Sequence, residues 1–95
     1  MILHWSRLAR ADLLSIFDYV AADDPKAALG LVDSIEKGIV RLTRHPRVGR
    51  PGRVPQTREL IIVGTPYVVV YRDVSRAVQI LRVLHGARQW PEPSQ

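Results

Sequence analysis

The chain has 95 residues, a formal net charge of +5, 46% hydrophobic and 24% charged residues, and no cysteine. This length predicts one domain, 1–95, and the composition is that of a folded protein rather than of a disordered one. The lack of cysteine excludes disulfides, thiolate metal sites and cysteine nucleophiles. The longest apolar stretch, residues 60–71, is interrupted by glycine and proline and is too short to span a bilayer, so we expect a soluble, cytoplasmic protein.

The basic residues are unevenly distributed along the chain. Residues 1–40 hold four basic residues against six acidic ones, whereas residues 41–95 hold ten arginines against three acidic residues. Because the guanidinium group is a planar fork that binds phosphate or carboxylate through two hydrogen bonds, this bias predicts specific contacts with anions. A genome rich in arginine codons is the alternative explanation for the number of arginines.

The beginning of the chain predicts a short strand and a helix. Residues 2–5 predict the strand, and Ser6 is a favourable N-cap for a helix that runs to about residue 22. Four apolar residues at helical spacing support this helix: Leu13, Ile16, Phe17 and Val20.

A second helix is predicted over residues 25–44. An acidic cap at Asp23 and Asp24 is followed by proline at the first helical position, and Pro46 ends the helix. Its apolar stripe consists of Ala28, Leu31, Ile35, Ile39 and Leu42. A second stripe, of small residues, consists of Gly30, Ser34 and Gly38, and we expect the two helices to pack there as an antiparallel hairpin.

The second half of the chain predicts a long loop and three strands. Residues 45–56 contain three prolines and two glycines, which forbids regular structure and predicts a loop of functional importance. Apolar runs at 58–63, 67–72 and 78–84 predict an antiparallel meander. The order β-α-α-β-β-β therefore predicts an α+β fold, with a helical hairpin packed on a small antiparallel sheet.

Four segments carry a resemblance to a known family. Residues 5–13 match a strand followed by S-x-x-A-x-x-D-L, and residues 45–51 match a P-x-x-G loop after the second helix. Residues 58–60 and 67–72 match a central strand pair, and residues 80–88 match a last strand and its exit. Together they resemble the RelE/ParE superfamily of toxins from type II toxin–antitoxin systems, and the ParE branch more closely.

The resemblance implies a growth-inhibiting toxin that an antitoxin, encoded beside it, neutralises in a hetero-oligomer. Such pairs serve plasmid stabilisation, and no cofactor, metal or membrane is implied. Two targets occur in the superfamily. ParE-like members bind and poison DNA gyrase, whereas RelE-like members enter the ribosome and cut mRNA.

Either target would need a set of anion-binding side chains. The predicted target-binding residues are Arg50, Arg53, Arg58, Arg82, Arg88 and Trp90. An mRNA endonuclease (mRNA interferase) would also need a base for the 2′-hydroxyl proton and an acid for the leaving 5′-oxygen. His85 is the candidate acid, because imidazole titrates near neutrality, with Glu59 as base and Arg82 as cation. The alternatives are a hydrogen-bonding role for His85, and an ion pair of Arg82 with Glu59 or Asp18.

The gyrase-directed interpretation is favoured by residues 60–63. This stretch is wholly apolar, where RelE-like nucleases have basic residues along the middle strands, and Val63 stands where an arginine is expected before the glycine-tyrosine turn. A third interpretation, a non-toxic basic nucleic-acid-binding module, is ranked last because no predicted helix carries a basic recognition face.

Overall fold

The structure, a computed structural model, describes residues 1–91, so the last four residues of the predicted domain lie outside the described part. The elements are β1 (Ile2–Trp5), α1 (Arg7–Ala21), α2 (Pro25–Arg41), β2 (Arg50–Pro51), β3 (Arg58–Ile61), β4 (Tyr67–Val74) and β5 (Ala77–His85). Both helices pack on a five-stranded sheet of order β1-β5-β4-β3-β2, which confirms the α+β class. None of the helices in the described residues is long and apolar enough to cross a membrane.

The sheet is mixed rather than antiparallel. The meander of β3, β4 and β5 is antiparallel as predicted, but β1 pairs with β5 in parallel, so the prediction of an antiparallel sheet is wrong at that edge. The prediction that residues 45–56 hold no regular structure is wrong as well, because Arg50 and Pro51 pair with Glu59 and Arg58. A proline is tolerated in such a short strand because β2 lies at the edge of the sheet.

Both helices begin where the sequence predicts. The Oγ of Ser6 accepts the N–H of Ala9, and the carboxylate of Asp24 accepts the N–H of Ala27 at 3.1 Å, ahead of the proline that opens α2. α2 ends at Arg41, earlier than the predicted residue 44. Residues 42–44 form a turn instead, in which each N–H reaches back three residues rather than four.

The core lies between the helices and the side of the sheet that faces them. Its most deeply buried side chains are Ile35, Ile39, Leu42, Val69, Tyr71, Val78, Ile80 and Val83. The predicted stripe of small residues does not serve as a contact between the helices. A Cβ on Gly38 would lie 2.7 Å from Cδ1 of Ile62, so this glycine makes room for the sheet, and a Cβ on Gly30 would have nothing within 4 Å.

The loop after α2 is fastened to the core through Tyr71. The buried phenol accepts the N–H of Gly49 at 2.9 Å and donates to the carbonyl of Pro46 at 2.8 Å. Burial raises the pKa of Tyr71, so the phenol stays a neutral donor. A Cβ on Gly49 would lie 2.6 Å from the phenol oxygen, which explains the glycine at this position.

Candidate functional site

The start of α1 closes the open edge of β5. β1 pairs with β5 only as far as Trp5 and Ile80, so the backbone of β5 beyond Ile80 lacks a strand neighbour on that side. Ser6 donates from Oγ to the carbonyl of Leu81 at 2.8 Å, and Asp12 Oδ2 accepts the N–H of Val83 at 2.9 Å. These two side chains satisfy backbone groups that would otherwise be left without a partner.

Asp12 also binds Arg82, the first of the predicted site residues. Arg82 Nε lies 2.8 Å from Oδ2 and Nη2 lies 2.9 Å from Oδ1, so the contact is bidentate. The two side chains are only 15% and 12% exposed. The ion pair that the sequence allowed for Arg82 therefore exists, but its partner is Asp12 rather than Glu59 or Asp18. Ser6 and Asp12 are the polar residues of the S-x-x-A-x-x-D-L pattern, but this pattern does not indicate that Arg82 is the partner of Asp12.

Glu59, the candidate base, is a buried acceptor on β3 that binds residues of the loop 45–56. It is 2% exposed. Its Oε1 accepts Arg50 Nη2 at 3.1 Å and lies 3.5 Å from Arg53 Nε, while Oε2 accepts the backbone N–H of Arg53 at 2.9 Å. Burial by itself would raise the pKa of Glu59, but the hydrogen bonds and charges of the two arginines outweigh it and hold that pKa below its ordinary value.

His85, the candidate acid, lies on the other side of the sheet from Glu59. It pairs with Tyr67, and the two rings meet edge to face with centroids 5.8 Å apart. Side chains alternate along a strand. His85 lies on the same face of β5 as the core residue Val83, exposed in a cleft beside α1. Glu59 is adjacent to the core residue Leu60 and therefore points away from the helices. Nδ1 of His85 accepts the N–H of Ala87 at 3.1 Å.

The structure brings some of the predicted site residues together and separates others. Glu59 and Arg82 lie in one row across β3, β4 and β5, with the buried Val70 between them. Arg50 and Arg53 converge on Glu59 and form an arginine cluster. Arg58 lies apart from them, because it pairs with the core residue Tyr71 and donates to the backbone carbonyls of residues 47 and 49 at 3.3 and 2.9 Å.

The C-terminal tail, residues 86–90, leaves β5 next to this cluster. Arg53 donates from Nη1 to the carbonyl of Arg88 at 2.8 Å and from Nη2 to the carbonyl of Gly86 at 3.3 Å. The Arg88 side chain is exposed, and Trp90 is half-buried. The sequence predicts that the loop and the tail border one surface, and the contact of Arg53 joins the two segments. Nothing in the sequence indicates that Arg53 would bind the tail backbone.

An apolar groove runs along the helical hairpin, away from the arginine cluster. Its lining residues are Trp5, Arg10, Leu13, Leu14, Phe17, Val32 and Glu36. Leu14 is 61% exposed in this groove. Because apolar side chains are exposed there, the groove is a candidate binding site for another macromolecule.

Comparison with known proteins identifies the family. A family model described as "ParE toxin of type II toxin-antitoxin system, parDE" matches residues 3–90. The chain belongs to this family of toxins. It is 41% identical over 90 residues to the protein Y4kP of Sinorhizobium fredii, covering 95% of this chain and 93% of that protein. It is 34% identical over 84 residues to "Toxin RelE2" of Caulobacter vibrioides, covering 88% and 93%.

A solved structure supports the same assignment. The chain superimposes with a TM-score of 0.78 and 36% identity on a chain of the "Chromosomal ParDE TA system from P. aeruginosa", covering 87% of this toxin and 92% of that chain. The match spans the sheet and both helices, so the fold of the toxin is that of its family. The RelE/ParE resemblance of the sequence is confirmed.

Removing the carboxylate of Asp12 should destabilise the toxin. Asp12→Ala leaves the Arg82 guanidinium and the Val83 N–H without their acceptor, and we expect the free energy of unfolding to fall by about 2–3 kcal/mol. Asp18→Ala is the matched control, because Asp18 is an exposed acid of the same helix. Urea denaturation of both variants measures the difference. Equal stabilities would show that the edge of β5 does not depend on Asp12.

Replacing Glu59 should reduce the stability of the toxin in a pH-dependent manner. Because the folded-state pKa of Glu59 is lowered, its contribution is fully present above the unfolded-state pKa and is lost as the pH falls through the folded value. We expect Glu59→Gln to be less stable than the wild type at pH 7. The difference in the free energy of unfolding should become smaller as the pH falls below about 4.3, the ordinary glutamate pKa. Urea titrations at several pH values measure it. A gap that stays constant would contradict the assignment.

Proposed function

We propose that this toxin acts on DNA gyrase, as ParE-like members of the superfamily do. The observation that supports this choice is the separation of Glu59 from His85. A nuclease that used these two residues would need both beside one phosphate, because the base and the acid act on the two ends of the same in-line displacement. Glu59 and His85 instead point from opposite faces of the sheet.

The state of Glu59 also argues against a role as base. Both carboxylate oxygens accept hydrogen bonds from the loop, and the group is almost wholly buried. A lowered pKa makes a carboxylate a weaker proton acceptor near neutral pH. His85 is exposed, with Nδ1 occupied by the N–H of Ala87, which fits a hydrogen-bonding histidine at the end of a strand.

The target-binding surface in this proposal consists of the arginine cluster and the tail. Arg50, Arg88 and Trp90 are the members that we expect to touch the target, because Arg50 is 52% exposed and the other two lie in the tail. Arg53 and Arg58 contribute positive potential from positions that are fixed by their own hydrogen bonds, whereas the charge of Arg82 is balanced by Asp12. A DNA-bound gyrase presents anions, which such a potential attracts.

Two assays run on one set of variants test the target. We expect the purified toxin to inhibit gyrase supercoiling and to leave translated mRNA uncut in primer extension. We expect His85→Ala to change the inhibition by less than about threefold, because loss of one surface contact has a small effect, whereas loss of a general acid would lower a cleavage rate on the order of a hundredfold. Codon-dependent mRNA cuts that vanish in His85→Ala, with gyrase unaffected, would sink the proposal.

We further propose that the groove on the helical hairpin receives the antitoxin. An amphipathic helix fits an apolar groove of this form, since its apolar side chains would contact Leu13, Leu14 and Phe17. Arg10 and Glu36 at the rim would pair with the charges that flank such a helix. The excess of arginine in the second half of the toxin favours an acidic antitoxin that continues from the groove onto the sheet.

A pair of leucines that are equally exposed tests this second proposal. Leu14 is 61% exposed within the groove, and Leu29 is 63% exposed on α2 outside it. Leu14→Glu places a charge in the apolar contact, so we expect at least a tenfold weaker complex, on the order of 1.4 kcal/mol. Leu29→Glu should bind as the wild type does.

Titration calorimetry with the antitoxin encoded beside the toxin measures both affinities. Circular dichroism of each variant checks that the helices are intact. If the two variants bind alike, the antitoxin does not use the groove.

A further inference from the structure

We infer that Arg53 is a positioning residue, which sets the direction in which the tail (residues 86–90) leaves the sheet, and that Glu59 is the anchor that holds Arg53. The relevance of this inference to toxicity rests on the proposed function, in which the tail contacts the target. The positioning itself stands on the geometry of the described residues alone.

Arg53 is held at both ends. Its backbone N–H donates to Glu59 Oε2 at 2.9 Å, and its Nε lies 3.5 Å from Glu59 Oε1. Its two terminal nitrogens donate to the carbonyls of Arg88 and Gly86 at 2.8 and 3.3 Å. One side chain therefore connects a buried carboxylate of β3 with two backbone carbonyls of the tail.

The other contacts of the tail come from the end of the sheet. The N–H of Gly86 donates to the carbonyl of Pro66 at 2.7 Å, and the N–H of Arg88 donates to the carbonyl of His85 at 2.9 Å. These bonds keep the first tail residues close to the end of β5. The carbonyls of Gly86 and Arg88 are oriented by Arg53, from the loop side. Without the guanidinium these carbonyls would turn towards water, and the residues that follow would lose their fixed direction.

Arg53 is better suited to this role than to direct contact with a target. Three of its nitrogens are engaged within the protein, and its charge is partly neutralised by Glu59. Arg50 binds the same carboxylate from the more exposed side, with 52% of its side chain exposed against 37% for Arg53. The planar fork is essential, because a lysine ammonium is a point charge that cannot reach Glu59 and two carbonyls in a fixed arrangement.

The order of the tail is the first readout, and it does not depend on toxicity. We expect the amides of Ala87 and Arg88 to exchange with deuterium on the order of tenfold faster in Arg53→Ala and Arg53→Lys, because two charge-assisted hydrogen bonds are lost. The fluorescence anisotropy of Trp90, measured in a Trp5→Phe background, should fall in the same variants. Arg41→Gln, which removes an exposed charge at the end of α2, is the control and should exchange as the wild type does.

Toxicity of the same variants separates this inference from the proposed function. Thermal melting selects the variants that fold, and Arg53→Lys retains the charge if Arg53→Ala proves too unstable. We expect both to lose toxicity, although lysine retains the positive potential. A tail as ordered in Arg53→Lys and Arg53→Ala as in the wild type would overturn the inference. A loosened tail with full toxicity would leave Arg53 as the positioning residue and would overturn the proposed tail contact with the target.

Discussion

The packing of the helical hairpin on the sheet depends on a difference in length between two neighbouring strands. β5 has nine residues and β1, which pairs with it in parallel, has four. The part of β5 beyond Ile80 would present an unpaired backbone if α1 did not begin at that point and supply Ser6 and Asp12. These contacts fix the helical hairpin against the sheet. Asp12 also holds Arg82, so the edge of β5 and the arginine of that strand are stabilised by the same carboxylate.

A second buried carboxylate organises the opposite part of the molecule in a similar manner. Glu59 holds Arg50 and Arg53, and Arg53 in turn holds the tail, so the irregular loop and the C-terminal exit share one anchor. This changes the meaning of the arginine excess. Several arginines of the second half bind oxygen atoms of the protein itself: Arg50, Arg53, Arg58, Arg72 and Arg82. The arginine bias serves the fold as well as any anionic target.

The sequence predicted those features that depend on local chemistry. Both helix starts follow from a side-chain cap, and the stripe from Ala28 to Leu42 is buried as its spacing indicates, except that Leu31 is only partly buried. What escaped prediction depends on contacts between distant segments. The direction of β1 beside β5 and the pairing of β2 with β3 have no local signal, and the partner of Arg82 lies 70 positions away along the chain. Among the candidate site residues, Arg50 and Arg53 lie beside the tail, whereas Arg58 and His85 are on the face of the sheet that the helices cover.

The alternation of side chains along the strands decides which of the candidate groups of this toxin lie on the same face of the sheet. A residue moved by one position points to the other face of a sheet, so strand position decides which groups can share a phosphate. In this toxin the groove and His85 lie on the side of the helices, whereas Glu59 points to the other side, where Arg50 and Arg53 hold it beside the tail. An antitoxin that filled only the groove would leave the tail uncovered. An antitoxin that neutralised the toxin by covering the tail would therefore need to be long enough to pass from the helical hairpin around the edge of the sheet. At that edge Ser6 and Asp12 already bind backbone groups of β5.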